Sequence, residues 1–473
     1  MASSHGPETQ ASWRDLARSG HAGKLVLLAF GVWLHAGDEL MVASITPQIV
    51  AGIGGQTLVA WLTALYEVGS IAAGAASALI VLRLGLRRAM ALAALAYLAG
   101  CVVSAAAPVM PVMLAGRLLQ GMGGGALVAM SLIGAWRLFP DRLLGRVIAA
   151  ISAVWGISAF AGPLFGALLA QSWGWPAAFA AFAFQAALFA AAVLRFLPED
   201  ERPPAKDTAG FPAMRIAILS FGVIAFAASG ITGRPAFAML LAASGLALIG
   251  LFAAHDQKAG ASRLLPLGAA NPATPAGAAL LMVLALSAST IAFMVYAPVF
   301  LAALHGMSAV QTGLILTLES VGWTIAAMLV AGLPLRFEKA AILGGYALSI
   351  LSIAVLAFAV PSGAKWLLAL CAAGLGGGFG IAWTSVFRRA AAQAAEGDSE
   401  RVTSAISTIQ RLGYALGAAY SGIIVNQTGF AATGAGGADA AKVLFLLCLI
   451  PAAIGYLAAM RFVSFKPGQA VNS

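Results

Sequence analysis

Seven ionisable side chains stand inside long apolar stretches of this sequence. They comprise one histidine, four acids and two arginines: His35, Asp38, Glu39, Glu67, Glu319, Arg117 and Arg411. A charged side chain in the hydrocarbon core of a membrane costs roughly 2.5–3.5 kcal/mol on insertion scales, so it persists where it faces protein or water. A buried carboxyl that titrates near neutral pH is able to take up a proton on one side and release it on the other. These residues predict proton transfer in a polar cavity of a helix bundle.

Three of these residues share one stretch. His35 precedes Asp38 by three residues and Glu39 by four, so a helix brings its ring to either acid. Asp38 and Glu39 are adjacent and point about 100° apart, so they do not both face the cavity in the same direction. The alternative for Asp38 is a structural pair with an arginine, and the alternative for Glu39 is contact with a neighbouring helix.

Aromatic residues accompany the other two acids. Glu67 follows Tyr66 directly and lies one to two turns after Trp61, and these rings are able to form a cavity wall for a flat or cationic ligand. Glu319 has Trp323 at i+4, and we expect Glu319 to hold a proton or a substrate cation. A hydrogen bond between helices is the alternative for Glu67, and a structural pair is the alternative for Glu319.

The two arginines differ in their surroundings. Arg117 is followed by Gln120 and by a glycine run that includes Gly121 and Gly124, which allows another helix or a substrate to approach the backbone closely. A snorkelling arginine beside a packing face is the alternative there. Arg411 lies on a stripe at helical spacing that consists of Ser404, Ser407, Thr408, Arg411 and Tyr414. We expect it to neutralise Asp38 or Glu319 or to bind an anionic substrate group.

The composition identifies the environment of these residues. The chain has 473 residues, of which 61% are hydrophobic and 9% are charged, whereas soluble domains carry about 25% charged residues. This excludes a soluble protein and indicates a polytopic membrane protein. The net charge of +10 is attributed to cytoplasmic loops rather than to nucleic-acid binding. The three cysteines lie in apolar runs and indicate neither a disulfide framework nor a metal site.

Fourteen apolar runs are long enough to cross a bilayer. They lie at about 25–50, 58–82, 88–107, 111–136, 143–170, 176–196, 213–230, 235–254, 275–303, 309–333, 341–360, 365–386, 402–425 and 443–462. If the N-terminus is cytoplasmic, 22 of the 27 Lys and Arg residues fall in inside loops and three in outside loops. This bias predicts that both termini are cytoplasmic. The first 24 residues are polar and contain no signal-peptide core, so the first span is predicted to be an uncleaved anchor.

The runs form two blocks of six with two further spans between them. The predicted organisation is an N-terminal tail 1–24, a six-helix half 25–196, a linker 197–274 with two extra helices, a second half 275–462 and a tail 463–473. Each half has a basic loop after its second span and a glycine-dense fourth span. Parallel repeats of this kind build a central transport site that is able to face either side.

Several motifs resemble the major facilitator superfamily, specifically its fourteen-span drug:proton antiporter branch (EmrB/QacA-like). Asp38 to Pro47 is similar to the branch motif D-x-T-I-V-N-V-A-L-P, and Trp61 to Tyr66 is similar to W-x-x-x-A-Y. Arg117 to Gly124 resembles R-x-x-Q-G-x-G, and Gly162 to Gly166 resembles G-P-x-x-G. The segment from Ser404 to Gly417 resembles the span-11 signature. The resemblance covers nearly the whole chain.

The resemblance implies roles for individual residues. It favours Asp38 as the main proton-coupling residue and gives Arg117 a coupling role. Glu67 or Glu319 is expected to assist Asp38, because each is an acid within a predicted span. It assigns conformational motifs to Gly121, Gly124, Gly162, Pro163, Gly166, Arg83, Gly85, Arg87 and Arg88. One departure is Leu82, which stands where the loop motif G-x-x-x-D-R-x-G-R-R has aspartate and puts its charge gate in doubt.

The predicted protein is therefore an all-α membrane transporter with the major facilitator fold, located in a bacterial cytoplasmic membrane. We expect a monomer that exchanges small hydrophobic or cationic compounds for protons. No nucleotide-binding loop, metal cluster or nucleophile motif occurs in the sequence, so no cofactor and no enzyme activity are predicted. A dedicated exporter of a siderophore, lipid or biosynthetic product is the second interpretation, and a non-transporting receptor or assembly protein is the third.

Overall fold

A computed structural model describes residues 13–18, 20–199, 212–394 and 398–465. The helices in these residues are α1 (Trp13–Arg18), α2 (Ala22–Ile53), α3 (Val59–Leu84), α4 (Leu86–Ala105), α5 (Met110–Leu138), α6 (Asp141–Trp173), α7 (Trp175–Phe196), α8 (Ala213–Ala228), α9 (Pro235–Gln257), α10 (Pro275–His305), α11 (Ala309–Val330), α12 (Glu338–Ser362), α13 (Lys365–Ala392), α14 (Ser399–Gln427), α15 (Phe430–Thr433) and α16 (Gly437–Ser464). Three 3₁₀ turns lie at Gln56–Leu58, Gly260–Ser262 and Leu335–Phe337.

Each of the fourteen predicted runs coincides with a helix. Within the described ranges, twelve helices are long and apolar enough to cross a membrane. The other two are α8, which has 16 residues, and α14, which carries the polar stripe around Arg411. The all-helical, multi-pass architecture is confirmed, and the count of fourteen spans stays a prediction.

The two blocks of helices repeat one packing pattern. In the first block α2 packs on α6 and α7, α3 packs on α5, and α4 packs on α5 and α7. In the second block α10 packs on α14 and α16, α11 packs on α13, and α12 packs on α13 and α16. The pairs correspond one to one, so the blocks are two copies of the same six-helix unit. We call them the first half and the second half.

The halves meet along two seams. One seam is formed by α3 and α14, and the other is formed by α6 and α11. The pairs are related by exchange of the halves, as expected for a pseudo-two-fold arrangement. Helix α8 packs against both α3 and α14, so the extra helices cover one of the two seams.

Glycines allow the short connections between long helices. Gly85 separates α3 from α4 with a φ of 77°, and Gly174 separates α6 from α7 with a φ of 83°. Both angles lie in the left-handed region, where a Cβ would be strained. Another helix start, that of α11, is stabilised by a capping box in which Ser308 and Gln311 satisfy each other's backbone N–H groups.

The glycine run of α5 positions this helix close to α3 and α2. A Cβ at Gly121 would clash with the backbone of Tyr66 on α3, and a Cβ at Gly124 would lie 2.7 Å from Nδ1 of His35 on α2. In the second half Gly376 takes the same position against the backbone of α11. The glycines thus bring α5 close enough for its polar residues to reach α2.

The two extra helices form a hairpin with a fixed base. Arg215 Nη1 lies 2.5 Å from Asp256 Oδ1, and Asp256 also accepts hydrogen bonds from the backbone of Leu264. Arg263, just beyond the hairpin, donates to Asp398 at 2.9 Å. The hairpin base is therefore attached to the start of α14 in the second half.

The predicted domain boundaries stay a prediction. The tails 1–24 and 463–473 and the linker 197–274 extend partly beyond the described residues, and the basic residues Arg202, Lys206 and Lys466 lie outside them.

Candidate functional site

Asp38 and Arg117 form a buried ion pair between α2 and α5. Arg117 Nη1 donates to Asp38 Oδ2 at 2.8 Å, and Gln120 Nε2 donates to Asp38 Oδ1 at 3.2 Å. Arg117 Nε also donates to the carbonyl of Leu62. Ser104 donates to Gln120 Oε1 at 2.9 Å and thereby holds the Gln120 amide in position to donate to the Asp38 carboxylate. A buried ion pair is retained where further hydrogen bonds satisfy both partners, and this pair meets that condition.

A second group of charges joins the two halves. Arg411 Nη1 of α14 lies 2.7 Å from His35 Nε2 and 3.4 Å from Glu67 Oε2. The sequence had offered Asp38 or Glu319 as partners for Arg411, and the structure shows Glu67 instead. The reason is that Asp38 is already paired within the first half, whereas Glu67 lies on α3 at the seam with α14.

Glu39 completes this second group. Its Oε2 lies 3.7 Å from His35 Nε2, one helical turn away. Glu67 Oε1 is buried and has no hydrogen-bond partner among the described residues. Three side chains of this group, His35, Glu39 and Glu67, are therefore able to bind a proton.

A small cavity lies beside both groups. Three predicted site residues line it, namely Glu39, Tyr66 and Arg117. The remaining wall is mostly apolar and comes from α2, α3 and α10: Leu40, Val42, Ala43, Thr46, Val59, Leu62, Thr63, Ile291, Met294 and Val295. The Arg117 guanidinium carbon lies 4.1 Å from the centre of the Tyr66 ring. A small, largely apolar compound with one polar group fits this chemistry.

Other predicted cavity residues lie outside this lining: His35, Trp61, Gln120, Trp323, Arg411 and Tyr414. Trp323 stacks on Phe379 with ring centroids 5.0 Å apart, and the Tyr414 hydroxyl accepts a hydrogen bond from Gln410. Gln120 holds Asp38 instead of facing the cavity. Their predicted substrate contacts stay predictions.

Glu319 is isolated from the two charged groups. Its Oε2 is buried and has no hydrogen-bond partner in the part of the chain that the structure describes. The indole at i+4, Trp323, packs on Phe379 rather than on this carboxyl. A lone carboxyl of this kind costs free energy unless it is protonated or used, so its predicted proton-coupling role stays open to test.

The halves touch on the side where α2 ends and α3 begins. Asn426, at the end of α14, donates to the carbonyl of Thr57 at 3.0 Å. At the other seam, a Cβ at Gly313 would lie 3.3 Å from the carbonyl oxygen of Pro163. We call this the closed side.

On the opposite side of the bundle, α2 and α14 begin. Ser404 and Ser407 are exposed, although they share a helical face with Arg411. Because Arg411 points at the first half, this face looks into the space between the halves. The exposed serines therefore line an opening, and we call this side the open side.

The basic loop between α3 and α4 has a partner that the sequence did not reveal. Arg87 and Arg88 both contact Glu199 after α7, at 3.3 Å and 2.7 Å, while Leu82 and Arg83 are exposed. Glu199 thus supplies an acid to this loop, although Leu82 replaces the motif aspartate.

The second half has a comparable group. Glu338 at the start of α12 pairs with Arg388 at 3.1 Å and with Arg389 at 3.2 Å. Its sequence signal was limited to the charge of the loop, because no motif marks an acid that faces the end of a distant helix.

The Gly162–Gly166 motif acts as a packing face between α6 and α2. A Cβ at Gly162 would lie 2.7 Å from the carbonyl oxygen of Gly37, and a Cβ at Gly166 would collide with Met41. Helix α6 continues through Pro163 without a break. The motif thus permits close approach of α2 and α6, and its predicted conformational role stays a prediction.

Within the described ranges, no group of three or more His, Cys, Asp and Glu residues is arranged to hold a metal ion.

Comparison with known proteins identifies the family. The profile of the Major Facilitator Superfamily matches residues 28–418. A Mycobacterium tuberculosis protein described as a probable multidrug-efflux transporter is 31% identical over 472 residues, covering 95% of this chain and 96% of the relative. An uncharacterised transporter of Escherichia coli is 24% identical and covers 89% of this chain and 93% of its own.

Solved structures show the same fold. A bacterial homologue of the lysosomal transporter Spinster, in an inward-facing and unoccupied conformation, has a TM-score of 0.67 at 14% identity, covering 95% of this chain and all of the other. The family and these transporter relatives also bear out the prediction that the protein is not an enzyme. From its helical repeat, its profile match and its relatives, the chain belongs to the Major Facilitator Superfamily of membrane transporters.

Proposed function

We propose that the protein is a proton-coupled antiporter that exports small hydrophobic or cationic compounds by alternating access. It would act as a monomer in a bacterial cytoplasmic membrane, with both termini in the cytoplasm and the proton gradient as its energy source. The name of the mycobacterial relative, a probable multidrug-efflux transporter, supports the substrate class. The motifs of the drug:proton antiporter branch support the coupling ion.

Fourteen spans form part of this proposal. Helix α14 packs on α10 and α3, and its polar face is directed at the first half and the space between the halves, so lipid exposure does not oppose its spanning. Helix α8 is about 24 Å long at 1.5 Å per residue, somewhat less than the hydrocarbon thickness. Its packing on α3 and α14 supports a position within the membrane.

One observation carries the proposed coupling. The Arg117 guanidinium is both the partner of Asp38 and a part of the cavity wall. A proton on Asp38 would remove the charge that holds Arg117, so the guanidinium would change its position or its partner. Cavity occupancy and the protonation of Asp38 would therefore act on the same group, which is the requirement for competition between substrate and proton.

The direction of transport follows from the proposed orientation. With cytoplasmic termini, the open side faces the cytoplasm, where an exporter loads its substrate. Proton release and substrate binding would occur in this state. Rocking of the halves would then separate the closed-side contacts and expose the cavity to the exterior.

Flux of a fluorescent cationic dye into inverted membrane vesicles tests the proposal. Wild type should accumulate dye when a proton gradient is imposed and should lose it when an uncoupler is added. Asp38→Asn should abolish gradient-driven accumulation, while Asp439→Asn, which changes an exposed acid at the start of α16, should leave it intact. Equal transport by wild type and Asp38→Asn would show that Asp38 has no coupling role.

A dedicated metabolite exporter is the second candidate. It is favoured by the Arg117 guanidinium, which lines the mostly apolar cavity together with the Glu39 carboxyl and suits a compound with an anionic group. Wild-type vesicles that reject a broad panel of cationic dyes but accumulate an amphipathic carboxylate would favour this candidate over multidrug export.

A further inference from the structure

His35 occupies a position that the proposed coupling through Asp38 does not use. Its ring lies between the halves, with Nε2 2.7 Å from Arg411 Nη1 of the second half. The same Nε2 lies 3.7 Å from Glu39 Oε2 of the first half. The Arg411 guanidinium is a donor and requires a lone pair on this nitrogen, whereas the Glu39 carboxylate is an acceptor and requires a proton on it.

Donor chemistry fixes the state of the ring in this structure. Arginine has only donors, so Nε2 must accept from Arg411 through its lone pair. The ring proton of the neutral imidazole then resides on Nδ1, which lies 2.8 Å from the Tyr66 hydroxyl oxygen. The Tyr66 hydroxyl in turn donates to the carbonyl of His35 at 3.0 Å. Each donor in this series of hydrogen bonds, from Arg411 through His35 to Tyr66, has an acceptor when His35 is neutral.

A proton on Nε2 would reverse the preference. The nitrogen would become a donor and would lose its ability to accept from Arg411, and imidazolium would repel the guanidinium. The Glu39 carboxylate would become the favourable partner, as expected for oppositely charged residues at i and i+4. One proton would thus exchange a contact between the halves for a contact within the first half.

Charged and polar groups surround the ring on the elements that pack against it. Its own helix supplies Glu39, α3 supplies Tyr66 and Glu67, and α14 supplies Arg411. Arg117 of α5 is the more distant positive charge and is already paired with Asp38. Helix α6 presents the Trp155 indole, with ring centroids 5.8 Å apart, and Gly124 of α5 leaves room for Nδ1.

We propose that His35 is a second proton-binding residue whose protonation at Nε2 releases Arg411 and favours separation of the halves on the closed side. The contact of Arg411 with His35 and Glu67 lies on the same seam as the hydrogen bond between Asn426 and Thr57. Loss of the contact between Arg411 and His35 removes one of the hydrogen bonds that hold α14 against the first half. This inference rests on proton-coupled transport, but its test does not require transport.

A distance measurement across the closed side provides that test. Cys101, Cys371 and Cys448 are free and buried and are first replaced by alanine. Spin labels are then attached at Ala51→Cys and Thr433→Cys, two exposed positions on opposite halves. Pulsed electron spin resonance gives the distance distribution of the purified full chain at about pH 8 and about pH 5, the range in which histidine titrates.

In this labelled protein, a longer-distance population should grow as the pH falls. In His35→Gln the shorter distance should persist at both pH values, because the Gln carbonyl accepts from Arg411 but binds no proton. His305→Gln is the matched control, since His305 contacts the carbonyl of Val360 within the second half, and it should keep the wild-type response. A His35→Gln protein that opens like wild type would overturn the proposal, as would a wild-type distance that ignores pH.

Glu39→Gln provides a second variant if His35→Gln does not fold. Loss of the carboxylate that would stabilise the imidazolium should shift the opening to lower pH. An unshifted midpoint would contradict the proposal. The two proposals are refuted by different results. Absence of dye flux together with a distance change that depends on His35 would refute only proton-coupled export. Normal dye flux together with a distance that does not change with pH would refute only the role of His35.

Discussion

Asp38 accepts a hydrogen bond of 2.8 Å from Arg117, and the two side chains expose 0% and 2% of their surface. The pair ties α2 to α5 beside the cavity. Removing one member of a buried pair leaves the other charge uncompensated, which typically costs about 3–5 kcal/mol. The pair therefore contributes to folding as well as to the proposed coupling, and the two contributions are separable by substitution.

We expect Arg117→Gln to lower the free energy of unfolding by about 3–5 kcal/mol, because Asp38 would keep a buried charge without its cation. Asp38→Asn should cost less, since the Asn carbonyl still accepts from the guanidinium and the unpaired cation retains the carbonyl of Leu62 and Gln120 as partners. Thermal or denaturant unfolding in detergent measures both effects.

The double variant Asp38→Asn with Arg117→Gln serves as the control. It should be more stable than Arg117→Gln alone, because no uncompensated carboxylate remains. Equal stability of wild type and Arg117→Gln would contradict this assignment.

Glu319→Gln should leave stability unchanged or raise it. The Glu319 Oε2 atom is buried without a hydrogen-bond partner in the described ranges, so a neutral amide removes a potential buried charge and no favourable contact. Glu338→Gln is the matched control, since Glu338 contacts two arginines, and it should lose about 1.5–3 kcal/mol.

Flux measurements on Glu319→Gln then separate function from structure. Loss of transport in a protein that is at least as stable as wild type would support a proton-coupling role. Unchanged transport together with reduced stability would show that Glu319 has a structural partner after all.

The sequence located the charged residues of the site but did not predict how they pair. Ionisable residues are rare in apolar spans, so Asp38, Glu67, Arg117 and Arg411 were visible from composition and spacing alone. The partner of Arg411 depends on how α3 is rotated against α14, and a pattern within one helix contains no information on that angle. Gln120 likewise turned out to brace Asp38, because the face it occupies depends on where the glycines of α5 meet α2.

The glycine-dense fourth span of each half was visible in the sequence, whereas the role of each individual glycine was not. Gly376 and Gly377 are adjacent, and only the structure distinguishes them. A Cβ at Gly376 would clash with the backbone of Glu319, while a Cβ at Gly377 would find its nearest neighbour at 3.8 Å.

Gly376→Ala should therefore destabilise the protein by about 1–3 kcal/mol, the usual cost of overpacking a tight interface. Gly377→Ala should be neutral or should stabilise by up to about 1 kcal/mol, because alanine favours the helix. Unfolding of both variants in one detergent provides the comparison. Similar destabilisation by the two substitutions would mean that helix α13 tolerates no side chain there for a reason other than contact with α11.

The attachment of the helical hairpin to α14 gives a pH-dependent prediction. Burial tends to raise the pKa of Asp398, but the hydrogen bond from Arg263, the backbone N–H of Leu267 and the charge of Arg401 hold this pKa below its ordinary value of 3.8. A carboxyl with a lowered pKa contributes stability that is fully present above its unfolded-state value and is lost as the pH falls through the folded-state value. The attachment is therefore constant near neutral pH.

Asp398→Asn should cost about 1.5–3 kcal/mol of unfolding free energy at about pH 7, because Asp398 accepts hydrogen bonds from two charged arginines. The difference between wild type and Asp398→Asn should shrink as the pH falls below about 4, where the wild-type carboxyl also becomes neutral. Unfolding curves across this range in an acid-tolerant detergent measure it. A difference that stays constant down to the most acidic point would contradict the charged pairing of Asp398 with Arg263 and Arg401.

The titration of Asp398 lies well below the pH range in which histidine titrates. The spin-label response between pH values of about 8 and 5 should therefore survive in Asp398→Asn. Loss of the response in this variant would mean that the hairpin attachment, not His35, governs the opening of the closed side.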